Sequence, residues 1–125
     1  MDAVTTKLAK KKILLARAGD LALPKITQMA FGSGGVDERG IVLQPTEDQR
    51  TLNNEIGRYE ILEHKAVSDT QVTYYCKIGE EDLNGSSISE IALVDEAGDI
   101  VAIKNFKAHE KDKTIVYTFT IDDMM

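Results

Sequence analysis

The stretch Ser87–Phe106, SISEIALVDEAGDIVAIKNF, is two apolar runs joined by Asp95-Glu96-Ala97-Gly98-Asp99. Two such runs around a short, polar, glycine-containing segment read as a β-hairpin, with Gly98 as a turn residue. On the N-terminal side, TQVTYYCKIG at 70–79 sets Val72, Tyr74, Cys76 and Ile78 against Thr73, Tyr75 and Lys77, the period of a half-buried strand. On the C-terminal side, KTIVYTFTID at 113–122 sets Ile115, Tyr117, Phe119 and Ile121 against Val116, Thr118 and Thr120. The C-terminal half of the chain is therefore expected to be antiparallel β.

The N-terminal half differs. Residues 5–18 contain good helix formers, with Leu8 and Leu15 beside Ala9, Ile13 and Ala16 on adjoining stripes, and Gly19 follows as a stop. Pro24 makes continued helix improbable. Lys25–Phe31 reads as a first strand, ended by Gly32, Gly34 and Gly35 as turn residues. Residues 35–50 carry Asp37, Gly40 and Pro45 without a sustained period, and are expected to form a long loop. TLNNEIGRYEILEHKAVS at 51–68 offers a short helix at its start, and Tyr59 and Ile61 favour strand after Gly57. Together these give a single domain, 1–125, of the α+β class: an N-terminal amphipathic helix followed by a mostly antiparallel sheet or sandwich of about six strands.

With 125 residues and 42% hydrophobic content, the chain is long enough for a core that needs neither disulfide nor metal. The lone Cys76 allows no internal disulfide, and its place in VTYYCKI reads as a buried strand position. No apolar run approaches the length of a bilayer span and no secretory leader is evident, so neither membrane insertion nor Sec export is expected. The net charge of −6 argues against nucleic acid as a partner. That charge is uneven. Between Asp2 and Ala18 five cations face one acid, +4 for this segment and −10 for the rest. Lys7, Lys11 and Lys12 form a candidate basic docking face, unless they are only the solvated side of a helix.

Few stretches of the sequence carry the marks of chemistry. The glycines of GSGGVDERG lack the lysine and following helix of a phosphate loop and the third glycine of a dinucleotide fingerprint, and Asp37 and Glu38 would repel a pyrophosphate. The bare alternative is a turn that needs positive φ. His64 and His109 stand apart, and Cys76 has no partner at zinc-ligand spacing. The acidic clusters at 80–82 and 95–99 lack the spacing of a calcium loop. Ser33, Ser86 and Ser87 sit in no nucleophile elbow. The expectation is a protein that is not an enzyme, with no cofactor and no metal. A hydrolase with dispersed carboxylates is a minor alternative.

Taken in order, KITQMAFGSGG, LNNEIGRYEI and GSSISEIALVDEAGDIVAIKNF resemble the N-terminal domain of the tail-collar fibre proteins of tailed bacteriophages. The positions that carry the resemblance are Ile26, Thr27, Ala30, Gly32, Gly34 and Gly35, then Leu52, Asn54, Glu55 and Arg58. The third group is Ile88, Glu90, Ile91, Ala92, Leu93, Asp95, Gly98, Ile100 and Ala102. The resemblance implies a structural virion component of a phage or prophage that attaches a fibre to the tail baseplate. It also implies other tail and baseplate proteins as partners, a homo-oligomer with a trimer favoured, and residence in the virion tail after assembly in the bacterial cytoplasm. Family fibres continue into a shaft and receptor-binding tip, whereas this sequence stops at Met125, so receptor recognition is not carried over. Arg58 and Glu90 are polar positions inside apolar stretches. They are a candidate interface or register pair, or else two outward-facing strand residues. The alternative from a different class is a small non-catalytic binding module, a lectin-like sandwich using the 35–50 loop.

Overall fold

The computed structural model describes residues 3–125. Its elements are β1 (Val4–Thr5), α1 (Lys7–Arg17), β2 (Ile26–Gly32), β3 (Glu55–Glu60), β4 (Glu63–Ser68), β5 (Gln71–Ile78), β6 (Ser87–Asp95), β7 (Ile100–Glu110) and β8 (Tyr117–Met124). The strands form two antiparallel sheets, a five-stranded one in the order β1-β7-β6-β2-β3 and a three-stranded one in the order β4-β5-β8. This corrects the α+β expectation: the protein is a mostly β sandwich with one eleven-residue helix. The expected six strands become eight for two reasons. Residues 4 and 5 pair with Ile103 and Ala102, too short a strand to show any period. The segment 55–68 is two strands, because the chain changes sheets between adjacent residues. Ile61 N–H donates to Thr27 of the first sheet (3.1 Å) and Leu62 N–H to Tyr75 of the second (2.8 Å).

The hairpin of 87–106 forms and extends to Glu110, with Ala92 opposite Ile103 and Leu93 opposite Ala102. Its turn depends on Asp95, whose Oδ1 accepts from the N–H groups of Ala97 (3.0 Å) and Asp99 (3.1 Å), and on Gly98 at φ +86°. An Asp side chain bonding two residues ahead, followed by a left-handed glycine, is the local chemistry that stops one strand and starts the next.

The core has two parts, one on each face of the larger sheet. Met29, Phe31, Ile88, Ile91 and Leu93 meet Cys76, Ile78 and Ile121 of the smaller sheet. Phe31 packs edge-on against Tyr59 and Phe119 at centroid distances of 5.9 and 5.2 Å, contacts worth about 0.5–1.5 kcal/mol each beyond their burial. On the opposite face Ala30, Ala92, Val94, Ile100 and Ile103 are covered by Leu52 from the long connection between β2 and β3. Strand β6 is thus buried on both faces, which is why its sequence reads as an apolar run with little alternation.

Helix α1 sits at the β1–β7 edge. Thr6 is its N-cap and is buried: its Oγ1 accepts from Ala9 N–H (3.2 Å) and donates to the Ile100 carbonyl (2.9 Å), while its own N–H donates to Val101. One threonine therefore both starts the helix and fastens it to the sheet, which moves the start from the expected residue 5 to Lys7. The expected stop holds, with Gly19 N–H donating to Ala16 at φ +81°.

Burial pushes the Cys76 thiol up to about 12, with a smaller contribution from Glu60. The thiolate needed for nucleophilic attack is therefore scarce in the folded protein. A thiol reagent at pH 8 should label native Cys76 no faster than the protein opens and should label it at once in urea; fast native labelling would contradict this burial.

Candidate functional site

Between Gly32 and Glu55 the chain forms no paired strand beyond a single bridge from Val36 to Val42. It is nevertheless held along its length, and the anchor is Glu90. This side chain is fully buried in the middle of β6. Its Oε2 accepts from the backbone N–H groups of Gly34 and Asn54 at 2.8 Å each, and its Oε1 accepts from Asn53 N–H at 2.8 Å. Next to it, Ser89 Oγ accepts from Gly35 N–H at 2.9 Å. A carboxylate taken out of water loses several kcal/mol of solvation. Bonds to a charged acceptor return about 1.5–3 kcal/mol each, so a glutamate in this place is stable only with the loop seated on it.

The glycines follow from this contact. A Cβ at Gly35 would overlap the Ser89 carbonyl oxygen, one at Gly32 would meet the Glu90 carboxylate and stand 2.6 Å from the Asn54 carbonyl, and one at Gly34 would lie 2.5 Å from Asn53 Cβ. Positive φ, the reason anticipated from sequence, is found at Gly98 and at Gly19, Gly40 and Gly85, and not at Gly32, Gly34 or Gly35. Those three are glycine because the backbone there lies too close to Ser89, to the Glu90 side chain and to the Asn53–Asn54 end of the loop for any side chain.

The two ends of the loop are tied to each other as well. Ser33 N–H donates to Asn54 carbonyl (3.0 Å), Asn53 Nδ2 to Gly34 carbonyl (2.8 Å) and Asn54 Nδ2 to Ser33 Oγ (2.6 Å). Farther out, Asp37 Oδ1 accepts from Arg39 and Ile41 N–H, Leu43 N–H returns to Gly35 carbonyl (2.9 Å), and buried Asn105 donates to Leu43 carbonyl (3.0 Å). This leaves a fixed tip on which Ile41 is 56% and Leu43 37% exposed.

Arg58 and Glu90 bond to different partners. Arg58 reaches Glu55 through Nε (2.8 Å) and donates through Nη1 to the Gly98 carbonyl (3.0 Å), joining edge strand β3 to the hairpin turn. Of the three lysines on the candidate docking face, two are engaged within the molecule. Lys7 contacts Asp48 at 2.8 Å, and Lys12, only 13% exposed, contacts Asp95 at 2.6 Å and Asp99 at 2.7 Å. Burial alone would lower Lys12, but its hydrogen bonds to Asp95 and Asp99 outweigh it and hold the ammonium above its ordinary 10.5. Lys11 is exposed. The basic helix is thus matched to acids of its own chain: Lys10 also bonds Glu47 at 2.8 Å, and this pairing holds the Glu47 carboxyl below its usual range. Among the described residues no group of three or more His, Cys, Asp or Glu could hold a metal ion.

The family model for the N-terminal domain of phage tail-collar fibre proteins matches residues 1–120. The chain belongs to this family. A comparison with curated proteins gives no match. The family makes the chain a structural component of a phage tail, associated with other tail proteins in the virion. The tail-fibre motif positions flagged from sequence converge in space. Gly32, Gly34, Gly35 and Asn54 surround Glu90, Leu52 closes the core beneath them, and Arg58 and Asp95 hold the hairpin turn. Ser89 and Asn53 were missed; the signal available for Ser89 was its place beside Glu90 as a second polar residue inside an apolar run.

Glu90→Ala should cost about 3 kcal/mol in urea unfolding, since three amides lose a charged partner. Amide exchange at Gly34, Asn53 and Asn54 should rise more than at β7. Gly35→Ala should cost about as much by displacing backbone, whereas Gly35 being freely replaceable would contradict the close approach. Lys12→Met strands the buried Asp95 carboxylate and should cost about 2 kcal/mol at neutral pH. Because the folded-state value of Lys12 is raised, its contribution is full below 10.5 and fades as pH rises through that higher value. The gap between wild type and variant should therefore narrow in strongly alkaline urea titrations.

Proposed function

We propose that the chain attaches a fibre to the tail baseplate, as a homo-oligomer with a trimer favoured, and that it is made in the bacterial cytoplasm before joining the virion. It acts as a non-catalytic fitting, and the loop between β2 and β3 is the part that meets the baseplate. The observation that carries this reading is the fixed loop. Three charge-assisted bonds to one buried carboxylate hold its base, and its tip presents Ile41 and Leu43 to solvent. A pre-ordered apolar tip loses little conformational entropy when it docks, which is what a repeated attachment point needs. The loop 35–50 contains no aromatic residue on which a sugar ring could stack, so the lectin-like alternative finds no support there.

Ile41→Asp with Leu43→Asp alters exposed positions and should leave urea stability within about 0.5 kcal/mol of the parent. Tails purified from cells producing this double variant should lack the chain in immunoblots, while tails from cells producing the parent carry it. Retention of the variant at parental levels would remove the loop from the attachment surface. A strictly monomeric mass at high concentration would remove the trimer.

A further inference from the structure

Sandwich sheets have edges, and soluble proteins protect edges with charge, shortness or cover. Edge strand β4 carries Glu63, His64 and Lys65, all exposed. Edge strand β3 carries Glu55, Arg58 and Glu60. The edge of β7 is covered by β1 only at Ala102 and Ile103, and beyond that no strand pairs with it on that side among the described residues. Strand β8 pairs with β5 on one side, and among the described residues its other edge has no partner strand. The first half of β8, Tyr117-Thr118-Phe119-Thr120, is uncharged. The edges left without a strand along most of their length, on β7 and β8, thus belong to consecutive strands, and of the two only the first half of β8 is uncharged.

Between these strands lies an open cleft of about 390 Å³. Phe106 and Phe119 stand 6.0 Å apart between centroids, with Ile91 beside them in the lining and Tyr117 a further 6.0 Å from Phe119. The Tyr117 hydroxyl donates to the Glu110 carbonyl at 2.9 Å and ties the two strands together there. Ile115 and Val116, each 42% exposed, precede Tyr117 on the connecting loop. In a chain of net charge −6, no carboxylate is among the cleft's lining residues, while Lys104 is.

We propose that this cleft accepts an extended segment of another tail protein, one whose cleft-facing side chains are apolar with one acidic residue among them, and which adds as a strand to the free edge of β8. The unpaired backbone of Tyr117–Thr120 sets the strand geometry, since an extended chain is the partner that satisfies alternating N–H and C=O groups along an edge. Alternate side chains on one face of the segment enter the cleft, the apolar ones over Phe106 and Phe119 and the acidic one opposite Lys104. The proposal rests on the assembly reading for where the segment comes from. Acceptance of a strand is a property of this chain and can be tested without a virion.

The test uses the full chain and two short synthetic peptides with threonine at every second position and valine between, one central valine being replaced by glutamate in the first peptide and by lysine in the second. The expected result is that the glutamate peptide binds, slows amide exchange within Tyr117–Thr120, and binds more tightly than the lysine peptide. Lys104→Glu should weaken the glutamate peptide by about tenfold and favour the lysine peptide. Thr118→Lys, at an exposed edge position, should weaken both. No binding up to about 1 mM, equal affinity for the two peptides, or protection elsewhere would overturn the proposal. So would protection of Tyr117–Thr120 that grows with protein concentration without peptide, since the occupant would then be a second copy. If Ile41 and Leu43 prove unnecessary for tail attachment while the peptide results hold, the cleft stands and the loop is removed from the attachment surface.

Discussion

A carboxylate buried in the centre of a sheet must be met by donors, and here the donors are three backbone amides of one loop. Much of the structure depends on that requirement. The loop has to return to β6 at both ends, which places Leu52 over Ala92 and Val94 and gives the larger sheet a second buried face. The loop base has to lie against Ser89, the Glu90 side chain and its own far end at Asn53 and Asn54, which leaves no space for side chains at 32, 34 and 35. One glutamate thereby specifies the glycines, the position of the long connection and the double burial of its own strand. Backbone amides as partners also mean that the site tolerates change in loop side chains while fixing loop path, a useful property where the outer part of a loop must adapt to a partner.

The hairpin turn is a second junction. Asp95 closes the turn through one oxygen and holds Lys12 of the helix through the other, and Arg58 reaches the same turn from the far edge of the sheet. Helix, central hairpin and edge strand are thus joined by charged groups of which Asp95 is the buried member. The segregation of charge seen in the sequence finds its use here. The basic N-terminal segment is matched to acids at 47, 48, 95 and 99, so its polarity is largely satisfied within the chain.

Periodicity made the hairpin and the alternation of β5 and β8 legible, because burial on one face writes itself into every second residue. It could not reveal β1, since two residues carry no period, and the class was read as α+β where the structure is mostly β. The break between β3 and β4 was equally hidden, as Ile61-Leu62 has the composition of a strand and the change of sheet is made by hydrogen bonds alone. At the site, a polar Glu90 within an apolar run was visible as unusual. Its partners were not, because an amide belongs to every residue type and leaves no trace in sequence. The glycines were recognised as punctuation but given a torsional reason. The steric one depends on Ser89, Glu90, Asn53 and Asn54, two of them more than fifty residues away in sequence.

This distribution of order fits a part whose work is contact. The tightest hydrogen bonding lies under the long loop and at the hairpin turn, while the β7–β8 corner keeps its backbone edge open and its aromatic residues half-exposed. A sandwich that buried that corner would be more stable and less exposed to unwanted pairing. Leaving it open has a cost unless something covers it in the assembled tail. The charged edges of β3 and β4 argue that the chain has the means to protect an edge, so the uncharged half of β8 is better understood as an edge awaiting a strand than as one left unguarded.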